Sequence, residues 1–277
     1  MIPTKPLGRD GAAIPALGLG VFRMAAEDTV RMVQTALRLG YRHIDTAQIY
    51  GNEAEVGRGL AESGVPRDEV FVTTKVWVDH YRGADFRQSV QDSLARLRTD
   101  YVDLLLLHWP SAKVPLAEQI AALNEAHASG RARHIGVSNF TTALMREAAA
   151  LSAAPLANNQ VEYHPYLDQS AVRAEAQRLG MSITAYYGMA DGKVLQDPVI
   201  GAIARRLGKT PAQIALRWLV QQDNVIALSK TLRAERAADN ARIFDFELDA
   251  ADMRALAGLA RPDGRLVSPE GLAPQWD

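Results

Sequence analysis

The sequence predicts an α/β chain folded as a (β/α)8 barrel with an N-terminal hairpin cap and extra helices. Short apolar, β-branched runs alternate with segments of helical periodicity eight times within 277 residues. Most of these runs are apolar throughout rather than at every second residue, the pattern of parallel strands covered on both faces. No Gly-x-Gly-x-x-Gly follows the first strand, which disfavours the open doubly wound sheet that binds dinucleotides through such a turn. Without an internal repeat, low-complexity tract or linker, residues 1–277 read as one domain.

The elements follow in order. Residues 1–16 carry Gly8, Asp10, Gly11 and Pro15 among short apolar pieces and read as a hairpin cap. Leu17 to Phe22 is the first strand. Asp28 or Thr29 is placed to cap a helix whose apolar face is Val30, Val33 and Leu37, stopped by Gly40. Tyr41 to Ile44 is the second strand, ending on Asp45, with a helix from about Glu53 to Glu62 behind it. Val70–Lys75 is the third strand, and Phe86, Val90, Leu94 and Leu97 share one helical face. Val102–His108 is the fourth strand, and Leu116, Ile120 and Leu123 mark the next helix. His134–Ser138, Asn159–Tyr163, Ser182–Tyr186 and Val225–Ser229 complete the strands. Their helices are Leu144 to Leu151, Ala171 to Leu179, Pro211 to Leu219 after an insert with Ile200 and Ile203, and Arg233 to about Ile243.

Composition narrows the function. Apolar residues make up 48% and charged residues 23%, enough for a large core and unlike a disordered chain. Lys plus Arg is 31 against 32 Asp plus Glu, so neither a nucleic-acid nor a membrane surface is expected, and any anion site is local. The absence of cysteine excludes disulfides, thiolate catalysis and thiolate metal sites. The start, Met1-Ile-Pro-Thr-Lys-Pro6, has no apolar signal core, and no run approaches the ~20 apolar residues of a membrane span. The expectation is a cytoplasmic monomer.

In a barrel the strand C-termini converge on one mouth. Asp45, Lys75 and His108 end the second, third and fourth strands, and Tyr50 lies just beyond the second. A phenol titrates near 10, too high for an efficient acid at neutral pH, and a neighbouring ammonium would lower it. Lys75 is placed to be that ammonium, Asp45 to keep it charged, and His108 to orient a substrate oxygen. Such a set suits proton donation to a carbonyl oxygen while a nucleophile attacks the carbon. The chain offers no nucleophile, which implies hydride from a nicotinamide cofactor.

The chain also resembles the aldo-keto reductases over nearly its whole length, and among them the compact bacterial 2,5-diketo-D-gluconate reductase type. The resemblance rests on Gly40-Tyr-Arg-His-Ile-Asp-Thr-Ala-Gln-Ile-Tyr-Gly-Asn-Glu53, Val72-Thr-Thr-Lys-Val-Trp77, Asp103-Leu-Leu-Leu-Leu-His-Trp-Pro110, Gly136-Val-Ser-Asn-Phe140 and Asn159-Gln-Val-Glu-Tyr-His-Pro165. It implies NADPH-dependent reduction of aldehydes or ketones (diketo sugar acids, methylglyoxal or similar small carbonyls) without a metal, NADH being the alternative reductant. Position by position it implies Tyr50 as general acid, Asp45 and Lys75 as its tuning pair and His108 as the orienting residue. Ser138, Asn139 and Gln160 resemble the ligands of the nicotinamide carboxamide, and Tyr186 the aromatic that stacks on the ring. Lys230, Thr231 and Arg236 resemble the clamp on the 2′-phosphate, with Asn240 near adenine. The sequence departs from the family where Ser229 replaces the usual proline and where Tyr187-Gly188-Met189 replaces Ser-Pro-Leu. Residues 261–277 are short beside larger relatives, which implies loose selectivity or selectivity set by other loops.

Each residue has a plainer reading. Asp45 alone would cap a helix, Tyr50 would pack at the surface, Lys75 would be solvated and His108 would be structural; four in register on three consecutive strand ends make that set of coincidences poor. Phe22, Trp77 and Trp109 are candidate walls of an apolar substrate pocket, and core packing accounts for them nearly as well. A metal-dependent hydrolase lacks paired histidine and carboxylate ligands. A non-catalytic cofactor-binding subunit would not need the intact tetrad.

Overall fold

The computed structural model describes residues 2–277. Strands β1 (Thr4–Leu7) and β2 (Ala12–Pro15) form an antiparallel hairpin, the cap expected from the turn residues. Alternation then runs β3 (Leu17–Gly20), α1 (Ala26–Arg38), β4 (His43–Asp45), α2 (Glu53–Ala61), β5 (Phe71–Val76), α3 (Gly83–Leu97), β6 (Val102–Leu107) and α4 (Leu116–Ala128). It continues through β7 (Ala132–Ser138), α5 (Thr142–Leu151), β8 (Leu156–Glu162), α6 (Ser170–Leu179) and β9 (Ser182–Tyr186). Two helices, α7 (Pro198–Leu207) and α8 (Pro211–Gln221), precede β10 (Val225–Ser229), and α9 (Ala234–Ala241) and α10 (Ala250–Ala257) end the ordered elements. Strands β3 to β10 close into a parallel barrel, sealed where Ala227 of β10 pairs with Leu17 of β3. The (β/α)8 barrel is therefore as expected. Among the described residues no helix is long and apolar enough to cross a membrane.

Strand periodicity divides the core in two. On β6, Leu104 and Leu106 point into the barrel, where they meet Phe71, Ala157, Ile226 and the hairpin's Leu7 and Ile14. Leu105 and Leu107 point outward, into the larger core beneath the helices. The hairpin thus plugs the N-terminal end of the barrel, leaving the C-terminal mouth for polar side chains. The helices contribute the faces read from sequence: Val30, Val33 and Leu37 on α1, and Phe86, Val90, Leu94 and Leu97 on α3 are all buried.

Several boundaries differ from expectation. Helix α1 starts at Ala26, so neither Asp28 nor Thr29 caps it; Thr29 instead lies in the first turn and donates its hydroxyl to Ala25 O at 2.9 Å. β3 stops at Gly20, which places Phe22 in the following loop. β4 begins only at His43; Tyr41 belongs to the helix-side core, its hydroxyl donating to Ala237 O at 3.0 Å. β8 begins at Leu156, three residues earlier than its polar sequence suggests. Helix α10 had no apolar stripe long enough to predict; a reciprocal box between Asp249 and Asp252 starts it.

His43 is buried inside the barrel, its Nε2 at 3.1 Å from Thr73 Oγ1 and its ring edge-on to Phe71. The backbone of Gly18 lies against this ring so closely that a Cβ there would collide with it. Burial first, and the Lys75 charge second, lower His43 from 6.5 to about 3. A depressed histidine stabilises the fold above its unfolded value, and that stabilisation is lost as pH falls from 6.5 towards 3, because the unfolded chain takes the proton and the native one refuses it. His43→Gln is therefore expected to lose about 2 kcal/mol less than the parent between pH 7 and pH 5. Urea midpoints at the two pH values measure this, and equal losses would contradict it.

Candidate functional site

The C-terminal mouth gathers the tetrad. β4 delivers Asp45, β5 delivers Lys75, and His108 directly follows β6. Tyr50 closes a short 3-10 turn after β4, a turn held by Gln48. The Gln48 amide donates to Ser93 Oγ at 3.0 Å, and its carbonyl oxygen accepts from Trp77 N at 2.9 Å. Asn52 fixes the far side, donating to Val21 O at 3.0 Å and accepting from Thr46 Oγ1 at 3.1 Å. Neither residue was singled out from sequence, though both lie inside the stretch that carries Tyr50.

Lys75 and Asp45 are buried and paired, Nζ to Oδ1 at 2.6 Å. Lys75 Nζ also donates to Thr46 O at 2.8 Å and lies 3.4 Å from Tyr50 Oη. The second Asp45 oxygen accepts from Gln160 Nε2 at 2.7 Å. Burial raises Asp45 and lowers Lys75, and each restrains the other. The short bond and the two additional partners favour the ionised pair. The His108 ring stands edge-on to Tyr50 at 5.7 Å, with its Nδ1 buried and unpartnered. Burial, then the Lys75 charge, hold His108 well below its usual value, so it is neutral.

One expectation is corrected. Burial first, and the Asp45 carboxylate second, push the Tyr50 phenol well above its ordinary value. Burial and that carboxylate both favour the neutral form, so Tyr50 is held as the protonated phenol rather than poised near neutrality.

A hydrogen-bonded ring joins the tetrad to the next group. Ser138 Oγ and Asn139 N both donate to Gln160 O, at 2.8 and 2.9 Å. Asn139, in the left-handed region at φ 63°, donates its amide to His108 O at 3.0 Å and accepts from the Tyr186 hydroxyl at 2.6 Å. Ser138, Asn139, Gln160 and Tyr186 thus cluster as expected, but Gln160 has a second contact, to Asp45, that sequence order could not reveal.

Lys230 and Thr231 follow β10, and Arg236 and Asn240 stand one turn apart on α9, forming a second locus. Lys230 Nζ is 3.4 Å from Arg23 O. Among the described residues, Arg23, Lys230, Arg233 and Arg236 have no carboxylate within ion-pair distance. Such unneutralised cations on a chain of net charge −1 fit a phosphate dianion. The departing segment after Tyr186 winds tightly: Tyr187, Ala190, Asp191 and Gly192 all have positive φ, and the Tyr187 hydroxyl donates to Asp191 Oδ1 at 2.8 Å. Of the aromatic candidates, Phe22 lies 4.9 Å from the Tyr50 ring and Trp77 5.3 Å from His108. Trp109 is buried and reaches the mouth's edge through Trp276 at 6.2 Å. Among the described residues no group of three or more His, Asp or Glu is arranged to hold a metal ion.

Residues 16–261 match the model of the aldo/keto reductase family. Methylglyoxal reductase DkgB of Escherichia coli O157:H7 is 49% identical over 268 residues, covering 96% of this chain and all of that protein. The solved structure of a candidate 2,5-diketo-D-gluconic acid reductase B superposes with a TM-score of 0.97 at 59% identity, covering 99% of this chain and 98% of that one. A variant of Gox0644 solved in complex with NADPH superposes with a TM-score of 0.90 at 34% identity, covering 97% of each chain. The closed barrel, its matched length and these similarities agree, and the chain belongs to the aldo/keto reductase family.

Proposed function

We propose that this chain is an NADPH-dependent reductase of small aldehydes and ketones, and that Tyr50 is its general acid. Two-carbonyl compounds, methylglyoxal and diketo sugar acids, are the first substrates to test because similar proteins are named for them. The observation that carries this reading is the Tyr50 hydroxyl lying 3.4 Å from an ammonium that is itself paired at 2.6 Å with Asp45, at the mouth of the barrel.

A reduced nicotinamide held at this mouth would supply the hydride for the carbonyl carbon. As the oxygen gains negative charge, the Tyr50 Oη–H bond breaks and its proton passes to that oxygen, giving the alcohol. An alkoxide is more basic than a phenolate, so a phenol above its ordinary value still releases its proton in this step. The phenolate left behind faces Lys75, whose charge Asp45 maintains. Neutral His108 donates a hydrogen bond to the same oxygen and fixes its direction. Ser138, Asn139 and Gln160 would hold the carboxamide and Tyr186 would support one ring face. Lys230, Thr231 and Arg236 would hold the 2′-phosphate, with Asn240 towards adenine. Phe22, against the Tyr50 ring, and Trp77, against His108, flank the tetrad.

Tyr50→Phe is expected to reduce kcat by at least about 10²–10⁴-fold with methylglyoxal while the NADPH dissociation constant, read by fluorescence, stays within twofold. Retained turnover would remove the acid role. Lys230→Ala and Arg236→Ala should each weaken NADPH by about ten- to a hundredfold and NADH hardly at all, since each charge-assisted bond is worth about 1.5–3 kcal/mol. Parallel weakening of both nucleotides would contradict the clamp. Because Tyr50 lies above 10.0 and His108 below 6.5, kcat for reduction should be flat between those values. A bell centred near neutrality would show that one of the two titrates within the working range.

A further inference from the structure

The segment after α10 contains no helix or strand, yet it is pinned along its length. Its start is docked on β8's side of the mouth. Arg261 N donates to Tyr166 O at 3.1 Å, and Gly264 lies so close to that carbonyl that any side chain would collide with it. Next comes Glu162, the last residue of β8, whose carboxylate has no solvent exposure. Oε1 accepts from Leu266 N at 2.8 Å and lies 2.9 Å from His164 Nε2; Oε2 accepts from Val267 N at 2.9 Å, with the Arg265 guanidinium 3.9 Å away. At the far end the Asp277 carboxylate accepts from Thr142 N at 2.9 Å and Thr142 Oγ1 at 2.7 Å, at the start of α5. The chain therefore arcs from the end of β8 across to the residues following β7.

Between these pins sits Trp276. Arg265 lies over its ring at 3.6 Å, its indole N–H donates to Ser268 Oγ at 3.1 Å, and Trp109 stands edge-on at 6.2 Å. Trp109 directly follows His108. A buried carboxylate is costly unless donors surround it, and two of the donors to Glu162 are backbone amides of this tail. Undocking would leave Glu162 short of partners inside the protein, so the carboxylate acts as a clip for the tail.

We propose that Glu162 is a positioning residue for substrate selectivity. Its carboxylate clips the tail so that Trp276 closes the Trp109 side of the mouth, favouring carbonyls with a flat apolar group over those with only a methyl. The proposal rests on the carbonyl-reductase reading above.

Methylglyoxal and phenylglyoxal present the same reacting aldehyde and differ in methyl against phenyl, so their KM ratio reads the wall. Trp276→Ala and Glu162→Gln should raise KM for phenylglyoxal about tenfold, with kcat within twofold and KM for methylglyoxal within about threefold. Asp277→Ala loosens the other end without touching the buried carboxylate, and should move the ratio in the same direction even if Glu162→Gln fails to fold. Trypsin cleavage after Arg265 should accelerate in Glu162→Gln, a readout independent of turnover. Equal losses on both aldehydes, or an unchanged KM ratio despite faster cleavage, would overturn the proposal. A parent protein that reduces neither aldehyde would instead overturn the functional reading and the selectivity claim with it, while the trypsin result would still report on the clip.

Discussion

The Lys75–Asp45 ion pair is the constraint from which the mouth of the barrel is built. Two charges removed from water are stable only with excellent geometry and full satisfaction of their remaining hydrogen-bonding capacity, and breaking such a pair costs about 3–5 kcal/mol. Each neighbour answers that demand. Thr46 gives its carbonyl to the ammonium and Gln160 gives its amide to the carboxylate. The same two residues link the pair to the turn carrying Tyr50 and to the ring of Ser138 and Asn139. The price of burying the pair is offset by the barrel around it, and the return is a fixed positive charge where a phenolate would form.

The two loci of the mouth differ in kind. Around the tetrad the buried ion pair is held by further hydrogen bonds and the rings of Tyr50 and His108 rest on Phe22 and Trp77, as a site requires if it must hold atoms within tenths of an ångström. Around β10 and α9 the cations are exposed and unneutralised, as suits a surface that meets a doubly charged phosphate from water. The tightly wound segment from Tyr187 to Gly192 joins the first locus to the solvent-facing side. Its Tyr187–Asp191 bond stabilises a backbone that non-glycine residues seldom adopt.

Much of this was legible in the sequence because strand order converts directly into position. Asp45 and Lys75 lie at the ends of β4 and β5 and His108 directly follows β6, strands that are neighbours in sequence and in the barrel, so their meeting needed only the strand reading. The barrel itself was legible because strands such as Val102–Leu107 are apolar on both faces. Contacts between distant segments were not legible. Gln160 reaches Asp45 across 115 residues, and Leu266 reaches Glu162 across 104; no periodicity encodes either. The direction of the Tyr50 shift was missed for a related reason. Sequence named the charged neighbour, but the burial of the phenol depends on the packing of Phe22 and His108 against its ring, with Trp77 behind His108. Tyr41 misled the strand boundary because an aromatic in a β-rich stretch serves equally well under a helix.

The central claim is that Tyr50 and Lys75 act as one unit in proton donation, and a double-mutant cycle on kcat for carbonyl reduction tests it most directly. Tyr50→Phe, Lys75→Met and the double variant would be compared at saturating NADPH, with nucleotide binding confirming that each is folded. The account predicts strong non-additivity: the double variant should be no slower than the slower single variant, because a charge that stabilises a phenolate has nothing to act on once the hydroxyl is gone. Losses that multiply would contradict it and would assign Lys75 a role separate from the phenol.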